Sequence, residues 1–153
     1  MRWPGKVSAG RVDETSILSA VDLLPTFCEL AGIELPDSYK PDGLSQVKAL
    51  KGKGDSLRKK PLFWKIGASW PPRDSKPDHW VAYAVVDQQW KLCLNKDRDF
   101  YELFDLTKDP FETKDLSKSN PNAVKRLSDL LDAWLTTLPE KPTGKVFSNL
   151  RNQ

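Results

Sequence analysis

The chain has 153 residues, an apolar fraction of 39% and a net charge of +3. This length predicts one domain with an arm, and the apolar content excludes wholesale disorder. The near balance of cations and anions, with no RNA- or DNA-binding motif, argues against nucleic-acid binding. No apolar run approaches the roughly 20 residues that a membrane span needs, and the N-terminus lacks the apolar core of a signal peptide. The sequence therefore predicts neither a nucleic-acid partner nor a membrane anchor, and it leaves the localisation unknown.

The first helix is predicted over residues 22–31. Pro25 is tolerated in a first turn, so Asp22 is expected to be the N-cap, with its carboxylate accepting from the first-turn amides. A catalytic role for Asp22 is the less favoured alternative. Gly32 stands where a left-handed residue commonly ends a helix. The apolar residues of this helix share one face: Leu24, Phe27, Cys28, Leu30 and Ala31.

A long polar segment and a short strand follow. Residues 33–60 are rich in Pro and Gly, which predicts a surface loop with one turn near 47–50. The apolar run at 61–66 predicts a strand.

Residues 67–79 combine aromatic rings, cations and the only histidine of the chain. We expect a substrate-facing loop, with Trp70, Arg73 and His79 as candidate substrate-binding residues. A rigid Pro-rich connection whose tryptophans pack on the body of the protein is the structural alternative.

A three-stranded antiparallel meander is predicted over residues 81–106. Three apolar segments, 81–86, 90–94 and 100–106, are separated by short polar connections, which force neighbouring strands to run antiparallel. In the second segment, Trp90, Leu92 and Leu94 face one side and Lys91 and Cys93 the other.

The last strong element is a helix over residues 121–138, with Asn120 as N-cap, Pro121 as first residue and Pro139 as its stop. Its apolar stripe is expected to cover the meander and consists of Val124, Leu127, Leu131, Trp134 and Leu138. Residues 141–153 are expected to form an extended tail. The predicted fold class is therefore α/β (α+β), a small antiparallel sheet packed by a C-terminal amphipathic helix.

The residues offer little catalytic chemistry of their own. Cys28 and Cys93 are interpreted as small buried hydrophobes in preference to a disulfide, and one histidine cannot complete a zinc site. Phosphate loops, nucleophile elbows and metalloprotease motifs are absent from the sequence. We therefore predict no catalytic and no metal-binding residue in this chain.

The opening segment Arg2-Trp3-Pro4-Gly5-Lys6-Val7-x-Ala9-Gly10 resembles a segment in the later part of sulfatases of the arylsulfatase family. Similar motifs follow in the same order: Ser19-x-x-Asp22-Leu-Leu-Pro25-Thr26, Asp42-Gly43-x-Ser45, Arg58-Lys-Lys-Pro61-Leu-Phe-Trp64, Ala84-Val-Val-Asp87-x-x-Trp90-Lys91-Leu92 and Glu102-Leu-Phe-Asp105-Leu-x-x-Asp109-Pro110-x-Glu112. The resemblance is greatest to bacterial arylsulfatases and N-acetylgalactosamine-6-sulfatases.

The resemblance implies the C-terminal portion of an alkaline-phosphatase-like sulfatase fold. Family members hydrolyse sulfate esters with a formylglycine and a calcium ion, which are expected in the full-length parent enzyme. Their nucleophile lies in a Cys-x-Pro-Ser-Arg signature, which neither Cys28 nor Cys93 matches. The expected partners are a missing N-terminal sulfatase domain and a sulfated small molecule or glycan. Parent enzymes of this type are often exported.

On this interpretation the chain divides at residue 66. Residues 1–66 would be the tail end of the large α/β domain, and residues 67–153 the C-terminal subdomain. Trp3, Ile17 and Phe63 are then expected to lie against strands and helices of the missing part. The rival hypothesis is a stand-alone, non-catalytic binding module for a sulfated glycan, which a genuine start codon and promoter upstream of Met1 would favour.

Overall fold

The computed structural model describes residues 3–53, 58–66 and 81–139. The elements in chain order are a 3-10 turn (Ala20–Asp22), α1 (Leu23–Ala31), α2 (Val47–Leu50), β1 (Leu62–Lys65), β2 (Tyr83–Asp87), β3 (Trp90–Leu94), β4 (Tyr101–Asp105) and α3 (Pro121–Leu135). This mixed architecture, with an antiparallel sheet and a C-terminal helix, confirms the predicted fold class. The short turn expected near residues 47–50 is α2.

The four strands form a single antiparallel sheet in the order β1-β2-β3-β4. Directly opposed residues share a face, and one such row runs across the whole sheet: Phe63, Val85, Leu92 and Leu103. The predicted alternation of β3 is confirmed by this register. The division at residue 66 stays a prediction, although β1 and β2, which lie on its two sides, belong to one sheet.

Helix α3 covers this face and completes the core. Leu127 and Leu131 are fully buried against the strand side chains, in a cluster with Val85, Leu92, Leu94 and Leu103. The ring of Trp134 stacks on Phe63 with a centroid distance of 5.1 Å. Helix α3 of the same chain thus covers one face of the Phe63 ring, and the expected contact of Phe63 with a missing part stays a prediction.

The ends of α3 differ from the prediction in two respects. Asn120 occupies the N-cap position before Pro121, but its side chain makes no capping bond. Its Nδ2 instead donates to the carbonyl of Leu116 at 3.2 Å. The helix ends at Leu135, three residues before the predicted end. Residues 136 and 137 form a turn after the helix. The hydroxyl of Thr136 donates to the Ala133 carbonyl at 2.7 Å, and such a local bond competes with continuation of the helix.

The loop after β4 is fixed to the sheet by two acidic residues. Asp115 accepts from the backbone N–H groups of Leu103 and Ser117, at 3.0 and 2.8 Å. Glu112 binds the ammonium of Lys91 with both carboxylate oxygens, at 2.6 and 2.7 Å. The loop therefore lies against β3 and β4 rather than projecting from them.

Both cysteines are free thiols, so the disulfide alternative is excluded. Cys93 is buried in β3, as the interpretation as a small hydrophobe requires, whereas Cys28 is half-buried in α1. Burial raises the pKa of the Cys93 thiol. Within the described ranges, no helix combines the length and the apolar character needed to cross a bilayer.

Candidate functional site

A buried ion pair joins the start of α1 to the segment before β1. Arg58 donates from its two terminal nitrogens to the two carboxylate oxygens of Asp22, both at 2.8 Å. The two side chains are 1% and 2% exposed. The flat guanidinium group matches the carboxylate with two parallel bonds, which is the strongest geometry for such a pair.

The carboxylate of Asp22 accepts two further bonds, from the backbone N–H groups of Ser19 and Leu44, at 2.9 and 2.8 Å. It makes no side-chain cap bond to α1. The predicted capping role is therefore wrong, because Asp22 joins the preceding turn, the 44–46 loop and Arg58 instead. Its four bonds and its burial give it a structural role.

The other groups of Arg58 are also satisfied. Its Nε donates to the carbonyl of Lys60 at 2.7 Å, and Nη1 lies 3.4 Å from the carbonyl of Ile17. Thr26 reinforces the same junction, because its hydroxyl donates to the Asp22 carbonyl and accepts from the N–H of Gln46. Residues 17–26, 44–46 and 58–60 are thus held together around one charge pair.

Hydrogen bonding decides the ionisation of Asp22. Burial by itself would raise the pKa of this carboxyl, but the bonds from Arg58, Leu44 and Ser19 outweigh burial and hold the pKa below its usual value. Asp22 is therefore a carboxylate at neutral pH and is poorly suited to act as a general acid.

Gly43 lies where two backbones meet beside this pair. A Cβ atom at this position would lie 2.1 Å from the carbonyl oxygen of Val21, which is far inside contact distance. Only glycine allows the loop to approach close enough for Leu44 to donate to Asp22. The close approach gives the Asp42-Gly43-x-Ser45 motif a structural explanation.

The clefts of this N-terminal half include one beside the ion pair and one along the N-terminal segment. The smaller, of about 260 Å³, is lined by Ile17, Leu44, Arg58 and neighbouring residues. Ligand pockets commonly hold roughly 300–1,000 Å³, so this cleft is small for a ligand site. The larger, of about 740 Å³, is lined by residues of the N-terminal segment 3–18 together with Ala49 and Leu50 of α2.

The outward side of α1 is apolar. Leu23, Leu24 and Phe27 are about half exposed, whereas the residues that α1 buries are Pro25 and Thr26. Sequence periodicity predicted an apolar face for this helix, and the structure directs most of that face away from the described chain.

The predicted substrate-binding residues Trp70, Arg73 and His79 lie outside the described residues. The base of their segment is described, because Ile66 and Ala82 flank it at neighbouring positions in the sheet. The N–H of Ile66 donates to the Ala82 carbonyl at 2.9 Å. The described residues on the two sides of 67–80 therefore lie next to each other at one end of the sheet.

An ion pair marks the same end of the sheet. Arg98, in the turn between β3 and β4, binds Asp132 of α3 at 2.5 Å, and its guanidinium lies 5.6 Å from the ring centroid of Tyr83. The bond from Arg98 lowers the pKa of Asp132. This pair fastens the turn to the helix, and Arg98 remains about one-third exposed near the base of the 67–80 segment.

The described residues do not fit the calcium site of the resembled family. No group of three or more His, Cys, Asp or Glu residues in these ranges could hold a metal ion. The acidic residues described above are engaged in local structural bonds, as Asp22 and Asp115 illustrate. These described carboxylates therefore offer no calcium ligand set.

Sequence reasoning missed the importance of Arg58. A weak signal was present, because an aspartate and an arginine each adjoin short apolar segments and can be buried only as a pair. The separation of 36 positions gave no indication that the two would meet.

The described chain thus forms an α+β domain, with a short antiparallel sheet covered by one helix and an N-terminal segment assembled on a buried ion pair. The chain belongs to the sulfatase family, because residues 1–141 match the family described as N-sulphoglucosamine sulphohydrolase, C-terminal.

Several sulfatases are similar to the chain in sequence. It is 28% identical to a sulfatase of Formosa agariphila, in a match that covers 94% of this chain. It is 25% identical to an N-acetylgalactosamine-6-O-sulfatase of Bacteroides thetaiotaomicron over 89% of this chain, and 31% identical to the mouse steryl-sulfatase over 87% of this chain. These matches cover 27%, 26% and 24% of the respective relatives. The chain therefore spans about a quarter of the length of these relatives.

A solved structure shares the fold. The crystal structure of Ps i-CgsB in complex with k-i-k-neocarrahexaose matches with a TM-score of 0.68 and 25% sequence identity. The match covers 86% of this chain and 27% of that one. Sequence and structure comparisons thus agree on a sulfatase fold and on the share of it that the chain represents.

Proposed function

We propose that this chain is the C-terminal part of a sulfatase, where it supports the catalytic body and borders the substrate cleft. The family match over residues 1–141 carries this proposal. The catalytic residues, the formylglycine and the calcium ion would belong to the part of the enzyme outside the matched segment. Within the chain, residues 1–66 would complete the large domain and residues 67–153 would form the smaller subdomain.

A chimeric enzyme tests the proposed function. The chain would replace the matched segment of the B. thetaiotaomicron N-acetylgalactosamine-6-O-sulfatase, and sulfate release from N-acetylgalactosamine 6-O-sulfate would be measured. We expect the chimera to hydrolyse the ester and the isolated chain to remain at the level of a buffer blank. The unmodified relative and a version lacking the segment are the positive and negative controls. A folded chimera without activity, or turnover by the isolated chain, would contradict the proposal.

The segment 67–80 is proposed to border the substrate, with Trp70, Arg73 and His79 contacting sugar or sulfate. One chemical argument and one observation support it: a cation such as Arg73 suits an anionic ester, and the residues that flank the segment, Ile66 and Ala82, lie at the same end of the sheet as Arg98.

Removing the charge of Arg73 tests this contact. In the chimera, Arg73→Ala should lower kcat/KM by about tenfold or more, the usual consequence of losing a hydrogen bond to a charged group. Lys125→Ala, which removes an exposed cation from α3, is the matched control and should have no effect. Equal kcat/KM values for the two variants would exclude a role of Arg73 in substrate binding.

A further inference from the structure

Helix α1 has an inverted amphipathic arrangement. At 100° per residue, Leu23, Phe27 and Ala31 share one side with Leu24. All four are exposed, and Phe27 is 59% exposed. The buried positions, Pro25 and Thr26, lie on the opposite side. A helix of a globular protein normally directs its apolar stripe to the core, as α3 does with Leu127 and Leu131.

The orientation of α1 is fixed. Asp22 at its start is bound by Arg58, and the hydroxyl of Thr26 accepts from Gln46 at 3.0 Å. Rolling the helix to bury Phe27 would break these bonds and leave a buried charge without its partner. The apolar side is therefore held outward by the polar contacts on the inward side.

The exposed apolar residues concentrate around this helix. Seven of the twelve large hydrophobic residues that are exposed in the described ranges lie between positions 12 and 33: Val12, Leu18, Val21, Leu23, Leu24, Phe27 and Ile33. Exposed apolar residues that share one helix face, as Leu23, Leu24 and Phe27 do, are typical of an interaction site. Helix α3, by contrast, buries Leu127 and Leu131 against the sheet.

We propose that the outward face of α1, formed by Leu23, Leu24, Phe27 and Ala31, is the surface on which the remaining part of the sulfatase packs. This inference rests on the proposed function and identifies the surface involved. The relatives indicate what covers this face. About three quarters of their length lies outside the matched segment, and that part is the proposed occupant. The occupant must present an apolar surface, because the face carries no charged side chain.

Two matched substitutions test the inference. Phe27→Glu introduces a charge on the face, and Phe111→Glu introduces the same charge at a phenylalanine that is 86% exposed in the loop after β4. Glutamate is a good helix former, so α1 itself should tolerate the change. In the isolated chain, both variants should retain the wild-type unfolding midpoint, and Phe27→Glu should reduce the binding of a hydrophobic dye.

In the chimera with the N-acetylgalactosamine-6-O-sulfatase, Phe27→Glu should reduce active, soluble enzyme by about tenfold or more, since a charge would be placed in an apolar contact. Phe111→Glu should behave as the unsubstituted chimera. Equal behaviour of the two variants in an active chimera would overturn the inference and leave the proposed function intact. The inference would also be overturned if the only effect of Phe27→Glu were to dissociate dimers of the isolated chain, or if the substitution unfolded that chain. An inactive unsubstituted chimera would overturn both.

Discussion

Replacing Arg58 with methionine should lower the free energy of unfolding by about 3–5 kcal/mol, the usual cost of leaving one charge of a buried pair without its partner. The carboxylate of Asp22 would stay 2% exposed, with only two backbone N–H groups to compensate its charge. Urea unfolding would measure the change, and hydrogen exchange should show lost protection of the α1 amides. Lys125→Met, which breaks an exposed pair with Asp129, is the matched control and should cost less than about 1 kcal/mol.

The pH dependence of the destabilisation by Arg58→Met shows whether it comes from loss of the ion pair with Asp22 or from loss of the packing of the Arg58 side chain. In the wild type the folded-state pKa of Asp22 is lowered, so its stabilisation is present above the unfolded pKa of about 3.9 and is lost as the pH falls through the folded value. Without Arg58, burial would raise the pKa of Asp22, and protonation would remove the cost of a buried carboxylate without a partner. The difference between wild type and Arg58→Met should therefore shrink as the pH is lowered. A difference that stays constant would mean that the arginine acts by packing alone.

Truncating Leu127 to alanine should destabilise the chain by about 2–5 kcal/mol, since its side chain is fully buried between α3 and the sheet. The loss combines the transfer free energy of the deleted atoms with the cavity that the rigid β2–β4 surface cannot close. Denaturant unfolding followed by tryptophan fluorescence would report it through the stacked Trp134.

Leu24→Ala is the control for this truncation, because it removes the same atoms from a helix position that is 48% exposed. Its effect on the isolated chain should stay within about 0.5 kcal/mol. An equal loss for the two variants would show that Leu24 is buried in solution, and it would contradict the outward orientation of α1.

Elements with strong local patterns were predictable from the sequence. The alternation of residues 90–94 gave β3 its limits and its two faces, and the two short connections fixed the antiparallel order of β2, β3 and β4. The stripe of α3 identified Leu127 and Leu131 as core residues. These features depend on neighbours a few positions apart, which a sequence pattern records directly.

Features that depend on distant contacts were not predictable. Asp22 stands where an N-cap is expected, but its carboxylate binds Arg58, the N–H of Leu44 and the N–H of Ser19 instead of the first turn of the helix. Likewise, periodicity identified the apolar face of α1 but contained no information on which body covers it. The stacking of Phe63 on Trp134 was not predictable for the same reason, since the two residues are some 70 positions apart.

The predicted site residues form a separate case. Trp70, Arg73 and His79 were selected by composition alone, and they lie outside the described ranges. Their assignment stays a proposal, supported by the anchored base of the segment at Ile66 and Ala82 and by the sulfatase family of the chain.

Sulfate release by the chimera tests the central claim most directly. The account predicts that the chain, joined to the rest of the N-acetylgalactosamine-6-O-sulfatase, restores hydrolysis of N-acetylgalactosamine 6-O-sulfate that the truncated relative lacks. The isolated chain should release none. A well-folded chimera that is as inactive as the truncated relative would contradict the account.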